Sequence, residues 1–440
     1  MRSNRLTFEQ WRARALKTPE YGVDHFLGRL QALEPKLKRS FAAARPDRET
    51  LLHALQSVHA EPCPPLAGIP YALQDMFDIR DLPTTCGSSL SEAFEMPAEE
   101  NCLLYERLKE LGAAFFLKTV PAEFGVALSG DNPAFGRCPH PDNEHWIPGG
   151  GAGSSARAVA DGYVPLAFGL DTCGGIRLPA ALHGLFGFRM ENNTLAREGV
   201  FPIAPTIDSI GCVTAHIDDL STTIRALCNP PDPNDAVELK GASLQGRGGP
   251  LDPEIKAGIF RLTRELDIDE NPPLHSWLNH ALRDTAGALE TLIARELHAI
   301  HRYWLDEYRE RYAPSLLRRI EQGEDCSIRA AEACNETQEK IRSTLTELFK
   351  THDYLICPIC PVPTPNKDAW NEQLERHILD YLAPASLAFM PAVTLPFNCS
   401  DGRHGAVQII VSPRRLEVLP ALLAQVTGFY AEEGAKDSVL

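Results

Sequence analysis

Two glycine-rich turns are the features of this sequence best suited to chemistry. They span residues 149–153 (GGGAG) and 173–175 (CGG). Consecutive glycines lack the Cβ atoms that would keep neighbouring backbone N–H groups from facing one point. Each turn is predicted to open a helix, where N–H groups and the helix dipole favour an anion or a developing oxyanion. The alternative is tight backbone packing, which the pattern taken alone slightly favours.

Two familiar uses of glycine-rich turns fit the sequence less well. A phosphate-binding loop would end in Gly-Lys-Ser or Gly-Lys-Thr, and the sequence contains neither triplet. Residues 151–156 (GAGSSA) match a relaxed dinucleotide fingerprint, but the preceding PDNEHWIP does not predict the strand that such a site requires. We therefore expect no cofactor.

The cysteines do not predict a metal or redox site. Cys357 and Cys360 have CxxC spacing, but a zinc site would need a second such pair. A redox motif would need a helix after the first cysteine, where prolines stand here. We interpret this pair as buried strand residues. The twelve cysteines are scattered along the chain, which is typical of reduced thiols in a cytoplasm.

Composition limits the classes of partner. The 440 residues are 44% hydrophobic and 23% charged, with a net charge of -16. This balance is typical of a globular protein, and the absence of a basic footprint argues against nucleic acid. No run of 18 apolar residues predicts a membrane span. The N-terminal residues 1–17 fit an amphipathic helix better than a secretory signal.

The elements that must position the glycine turns alternate between strands and helices. A strand is predicted within 68–79, and a helix followed by a strand within 101–116. A helix begins near Ser154, and 164–189 predict strand, turn, helix and strand. This alternation predicts an α/β layered core. Residues 276–350 are predicted to be mostly helical.

Several motifs occur in an order that resembles the amidase-signature family. They are AGIPYALQDMFDIRDLPTTCGS, EFGVALSGDNPAFGRCPHP, PGGGAGSSARAVADG, LDTCGGIRLPAALHGLFGFR, GVFPIAPTIDSIG and PASLAFMPAVTLPF. The resemblance implies an α/β fold with a mixed central β-sheet sandwiched between layers of α-helices. It also implies a single domain over 1–440. Its parts are an N-terminal helical layer (1–65), a signature core (66–218), a variable, mostly helical segment (230–350) and the C-terminal part of the core (353–440).

The family's catalytic side chains are absent from the matching positions. Members use a nucleophilic serine, a relay serine on a cis peptide and a neutral lysine as base. The lysine position is Gln74, the relay position is Gly151 and the nucleophile position is Gly175. Glycine cannot attack a carbonyl, and glutamine is not a base at neutral pH. The register is held by matching neighbours: Asp171, Thr172, Gly174, Ile176 and Arg177.

Two substitutes for the lost nucleophile are conceivable. Cys173 precedes the lost nucleophile by two residues, and His183 follows it by eight, so a Cys/His pair could act together. The alternative, that Cys173 is a small packed residue of the turn, is favoured. Ser154 and Ser155 offer hydroxyls, but we expect them to cap their helix. Arg177 is expected to form a structural ion pair.

The resemblance also implies an inherited pocket for a small carboxylate or amide. Ser386 and Phe389 stand where the family has an asparagine and a small residue, so Phe389 could partly fill the cavity or simply repack. We predict no metal ligands. The pocket is predicted to be lined by Gly149, Gly150, Thr172, Cys173, Gly174 and Phe389.

Two functional hypotheses follow from the missing side chains. The first is a non-hydrolytic, inactive member that binds a small ligand or regulates a protein partner, such as an active enzyme subunit. The second is an amidase-like enzyme, acting by C–N hydrolysis or acyl transfer, that uses Cys173 or a bound water. The sequence favours the first, with no nucleic acid or membrane as partner, a possible homodimer and a cytoplasmic location.

Overall fold

A mixed sheet of ten strands organises the part of the chain described by the computed structural model, which covers residues 5–90, 96–192, 198–231, 239–247 and 249–437. The spatial order is β1-β3-β2-β4-β6-β5-β9-β10-β8-β7. The strands are β1 (Ala42–Ala44), β2 (Pro70–Gln74), β3 (Ala114–Thr119), β4 (Leu166–Leu170), β5 (Phe186–Arg189), β6 (Ile210–Thr214), β7 (Gly241–Ser243), β8 (Tyr354–Pro358), β9 (Ala392–Asn398) and β10 (His404–Val411).

Strand pairing explains how the sheet positions its turns. Strand β2 runs parallel to both β3 and β4. From β4 onward, β6, β5, β9, β10 and β8 pair antiparallel, and β7 closes the far edge parallel to β8. Because β2 and β4 are parallel, the segments after Gln74 and after Leu170 leave the sheet at the same edge. That edge is where open α/β sheets place their ligands.

Helices cover the sheet, as the α/β prediction requires, so the predicted fold class is confirmed. They are α1 (Phe8–Lys17), α2 (Pro19–Gln31), α3 (Pro35–Phe41), α4 (Arg48–Leu55), α5 (Leu103–Glu110), α6 (Gly153–Ala160), α7 (Arg177–Leu182), α8 (Ile217–Cys228), α9 (Pro253–Glu265), α10 (Pro272–Ala281), α11 (Thr285–Tyr308), α12 (Pro314–Glu324), α13 (Ile328–Leu348), α14 (Glu372–Leu387) and α15 (Val418–Asp437).

The hydrophobic core lies on both faces of the sheet. Along β2, Tyr71 and Leu73 contribute to one buried cluster, while Ala72 belongs to a second cluster. Strand β4 alternates in the same way, with Phe168 in the first cluster and Ala167 in the second. This alternation is the period of two that a strand imposes on its side chains. Strands buried on both faces therefore read as continuous apolar runs.

The C-terminal half adds a layer of long helices. Helix α11 packs against α12, α13 and α14, which confirms the mostly helical expectation for 276–350. Strand β7 was not predicted, because three residues (Gly241–Ser243) are too few to show a periodicity. It forms by pairing with β8, a segment more than a hundred residues away in the sequence.

Candidate active site

The three positions at which the family carries its catalytic side chains lie together at the carboxyl edge of β2 and β4. Gln74 ends β2, and Gly175 lies in the turn between β4 and α7. The Gln74 Nε2 group donates to the carbonyl of Gly151 at 2.9 Å. The Ala152 N–H donates to the carbonyl of Gly175 at 3.2 Å. The structure thus brings together residues that are about a hundred positions apart.

Gln74 is a structural cross-link between these segments. Its side chain is buried, with 1% exposure. While Nε2 donates to Gly151, Oε1 accepts the backbone N–H of Leu170 at 2.8 Å. One neutral amide therefore satisfies a buried acceptor and a buried donor on different segments. The sequence marked Gln74 only as a missing base and did not predict this bridge.

Restoring the family's lysine, by Gln74→Lys, is expected to lower the free energy of unfolding by about 1–3 kcal/mol. An ammonium group has no acceptor lone pair, so the buried Leu170 N–H loses its partner. Urea unfolding followed by circular dichroism measures the change. Gln74→Glu keeps the acceptor but loses the donor to Gly151, so it is expected to be destabilised too. A fully stable Gln74→Lys protein would contradict the bridging role.

Gly151 and Gly175 are packed so closely that the present backbone has no room for a side chain. A Cβ on Gly151 would come within 3.0 Å of the Gly125 backbone, and one on Gly175 equally close to the carbonyl oxygen of Leu170. Among the described residues only the Glu61–Pro62 peptide bond is cis. The bonds on either side of Gly151 are therefore trans, unlike the relay position that the resemblance implied.

The predicted N–H cradle is only partly available. The Gly174 N–H donates to Asp171 Oδ1 at 3.1 Å, and the Gly150 N–H donates to the carbonyl of Leu128 at 2.6 Å. Both groups are therefore already used inside the protein. Gly149, Gly150 and Gly174 all have positive φ, at 78°, 53° and 101°, which explains the need for glycine at these turns.

Three backbone N–H groups of the turn after β4 remain available. Within the described ranges, no protein acceptor is found for the N–H groups of Thr172, Cys173 and Gly175. Thr172 is held in place through its hydroxyl, which donates to Asp208 Oδ1 at 2.6 Å. Asp208 is buried, and burial raises the pKa of its carboxyl. It was not singled out from the sequence, although it lies in one of the matching motifs.

Asp171 anchors this turn through a buried ionic network. It accepts the backbone N–H groups of Gly174, Ile176 and Arg177, and it pairs with the Arg177 guanidinium at 2.8 Å and that of Arg189 at 3.3 Å. Burial alone would raise the pKa of the Asp171 carboxyl, but the two guanidinium groups outweigh it and lower the pKa to about 2. The expected structural ion pair of Arg177 is therefore confirmed.

The network extends from the turn to the C-terminal part of the sheet. Arg177 also donates to the Leu382 carbonyl at 3.0 Å, to Gln408 Oε1 at 2.6 Å and to Ser386 Oγ at 2.9 Å. Ser386 thus has a structural partner of its own. Burial lowers the pKa of Arg189 to about 10, against the favourable field of Asp171.

Cys173 and His183 do not form a catalytic pair. The His183 ring stacks on His140 with centroids 4.3 Å apart, and its Nδ1 lies 2.9 Å from the Pro179 carbonyl oxygen. Burial raises the pKa of the Cys173 thiol to about 12, although Arg319 favours the thiolate. A thiol with so high a pKa is almost entirely protonated, and therefore a weak nucleophile, at neutral pH.

The side chains that share the surroundings of Cys173 come from distant helices. The fields of Arg319 and Glu375 both act on the thiol, and these two side chains pair at 3.5 Å. The Trp370 indole Nε1 also donates to Glu375, at 3.3 Å. Sequence reasoning missed Arg319 and Glu375, because they belong to the segment with no matching motif and to the start of α14.

Two further expectations are corrected by the packing. Leu382, and not Phe389, occupies the space beside Gly174, because a Cβ on that glycine would meet the Leu382 side chain. Phe389 is half-buried and lies under the Arg342 guanidinium, 5.3 Å from the ring centroid. Its repacking is thus the better interpretation.

Ser154 and Ser155 do not cap α6, because the helix begins at Gly153 and has no side-chain cap. The Ser154 hydroxyl donates to the Ser40 carbonyl at 3.3 Å, and Ser155 Oγ lies 2.7 Å from Thr119 Oγ1. Both hydroxyls therefore tie the helix to neighbouring segments. Cys86 is fully buried, as expected.

Metal-binding and membrane features were searched in the described ranges only. They contain no group of three or more His, Cys, Asp or Glu side chains placed to hold a metal ion. In the same ranges, no helix combines the length and apolar character needed to cross a bilayer.

Comparisons with known proteins place this site among enzymes. Residues 22–260 match the family model described as Amidase. A subunit of the glutamyl-tRNA(Gln) amidotransferase of Thermus thermophilus is 34% identical over 273 residues, which is 62% of this chain and 55% of the relative. The AtzE subunit of the 1-carboxybiuret hydrolase of a Pseudomonas species is 29% identical over 394 residues, covering 82% of this chain and 83% of that protein.

These comparisons contradict the prediction of a non-hydrolytic, inactive member. One relative is named as part of an amidotransferase and the other as part of a hydrolase, and both names describe amidase-type enzymes. The prediction was wrong because it took the loss of the side chains at positions 74, 151 and 175 as the loss of all chemistry at the site.

Solved structures agree with the observed fold. A chain from a study of a vestigial protein complex and the origins of an s-triazine catabolic enzyme has a TM-score of 0.84 at 24% identity, covering 96% of this chain and 98% of its own. A 6-aminohexanoate cyclic dimer hydrolase with its substrate has a TM-score of 0.78 at 19% identity, covering 96% of each chain. At such low identity the likeness shows the fold alone. With the family match over more than half of the sequence, this chain belongs to the amidase family.

Proposed function

We propose that this chain is an amidase-type enzyme subunit that acts at the carbonyl carbon of an amide or a related C–N compound, without a serine–serine–lysine triad. The observation that carries the proposal is the set of free N–H groups on Thr172, Cys173 and Gly175, at the carboxyl edge of β4. Donors fixed by the fold and aimed at one turn stabilise the negative charge that develops on a carbonyl oxygen. The enzyme names of the relatives support the same reaction class.

A water molecule is the nucleophile that the surroundings favour. The Cys173 thiol is protonated at neutral pH because burial raises its pKa to about 12. Glu375 acts on the same space, and Arg319 and Trp370 hold its carboxylate. In the proposed step, water oxygen bonds to the carbonyl carbon and its proton passes to Glu375. The C–N bond then breaks, and the leaving nitrogen takes up that proton.

The proposed setting is a complex with a protein partner. Both relatives quoted above are named as subunits, which supports a partner for this chain. A small carboxylate or amide ligand, a homodimer and the single-domain organisation over 1–440 stay predictions. A cytoplasmic location is also proposed, because the twelve cysteines are all unpaired thiols.

The activity is tested by ammonia release from the full-length chain with primary amides, ureas and biuret-type compounds. Glu375→Gln is expected to lower kcat about a hundredfold or more, because it removes the proposed base. Glu372→Gln is the matched control, since Glu372 is exposed on the same helix, and it is expected to leave kcat unchanged.

Mass spectrometry with an electrophilic ester probe separates the two nucleophiles. Attack by water predicts no acyl adduct on Cys173. An adduct on that thiol would contradict the water mechanism, and the absence of ammonia release from folded protein across all substrates would overturn the proposed function.

A further inference from the structure

A second cavity, away from the turn after β4, lies where α10, the start of α11 and α14 meet. Its volume is about 920 Å³. Helix α10 and the residues after it form one wall, and α14 contributes Arg376 and Asp380. Gly246 and Arg247, which follow β7, form the third side. Three separate segments of the fold therefore converge on this space.

The cavity is rich in positive charge although the whole chain is acidic. Arg247, Arg283 and Arg376 line it, against the carboxylates of Asp284 and Asp380. The chain as a whole carries a net charge of -16. A local excess of cations in such a protein indicates a site that attracts anions. Two histidines and a tryptophan add ring N–H groups to the lining: His275, His280 and Trp277.

Arg247 is the buried member of this group, and one of its amino groups has no partner. Its exposed fraction is only 6%. Nη2 donates to Thr285 Oγ1 at 3.0 Å and also to the Leu282 carbonyl. Among the described residues Nη1 has no acceptor. A buried N–H donor of a charged group that lacks an acceptor is costly, so a bound acceptor would relieve that cost.

The start of α11 adds a second source of positive potential at the same place. Asp284 precedes this helix of 24 residues with a positive φ of 59°, and no side chain caps the first turn. The N–H groups at a helix start lack partners within the helix, and the helix dipole favours negative charge there. Arg247 binds Thr285, the first residue of the same helix. The guanidinium and the helix start therefore act on one point.

We propose that this cavity binds a small, multiply charged oxyanion, such as a phosphate or polycarboxylate group, between Arg247, Arg283 and Arg376. Guanidinium groups hold such oxygens through paired N–H donors. The cavity is distinct from the candidate active site, so the proposal does not depend on the proposed function. It assigns a ligand class to a region that matches no motif of the family.

Isothermal titration of the full chain with inorganic phosphate, pyrophosphate and citrate tests the site. Binding of at least one of the three is expected, and the strongest of them identifies the group as phosphate or carboxylate. Arg283→Gln and Arg376→Gln are expected to weaken it about tenfold each. Both side chains are exposed, so these variants are expected to fold. Arg247→Met is expected to abolish binding.

Arg329→Met serves as the matched control, because Arg329 is exposed on α13 and does not line the cavity. It is expected to bind as the unmodified chain does. Failure of all three anions to bind up to about 10 mM would overturn the proposal, since that limit corresponds to very weak affinity. Equal binding by the Arg283 and Arg376 variants would overturn it as well.

Discussion

Arg177→Met is expected to lower the free energy of unfolding by about 3–5 kcal/mol, the cost of removing one partner from a buried ion pair. Arg177 and Asp171 are both fully buried. Methionine fills much of the same volume but leaves the Asp171 carboxylate with only Arg189 as counter-charge. It also removes the hydrogen bonds to Gln408 and Ser386, which join the turn after β4 to the C-terminal part of the core. Chemical denaturation measures the loss.

The matched control is Arg107→Met, which breaks an exposed ion pair with Glu110. The side chains of that pair are 41% and 68% exposed. Exposed pairs contribute about 0–1 kcal/mol, because water and salt screen them. An equal, small effect of both replacements would show that the buried network contributes little to stability.

Gly175→Ala is expected to lower the free energy of unfolding by about 1–3 kcal/mol, the usual cost of overpacking a tight site. The new Cβ would come within 3.0 Å of the Leu170 carbonyl oxygen, closer than real Cβ atoms approach a neighbour. Since that oxygen belongs to the end of β4, relief requires movement of the strand or of the turn. Thermal unfolding of the purified variant measures the change.

Gly28→Ala adds the same methyl group where it meets nothing within 4 Å. Gly28 lies inside α2, and alanine is favoured over glycine in a helix by about 1 kcal/mol. This control is therefore expected to stabilise the protein. The two replacements should thus have opposite signs, and a stable Gly175→Ala protein would contradict the packing described for the turn.

The layered fold could be predicted from the sequence because its signals are local. Residues 164–189 form β4, α7 and β5 as expected, since a strand and a helix each leave their own period in the chain. The short β7 could not be found in this way, because its existence depends on pairing with β8. Helix caps were harder for the same reason: Ser154 and Ser155 find their partners in Ser40 and Thr119.

The sequence by itself determined which side chains stand at positions 74, 151 and 175, because residue identity and motif order need no structure. Only the tertiary structure decided what those residues do there. Gln74 became a bridge, Leu382 took the space beside Gly174, and the Gly174 N–H was claimed by Asp171. These outcomes depend on contacts between segments tens to hundreds of residues apart, and such contacts leave no period or spacing in the chain. The same reason hid Glu375 and Arg319, which reach Cys173 from the helices of the C-terminal half.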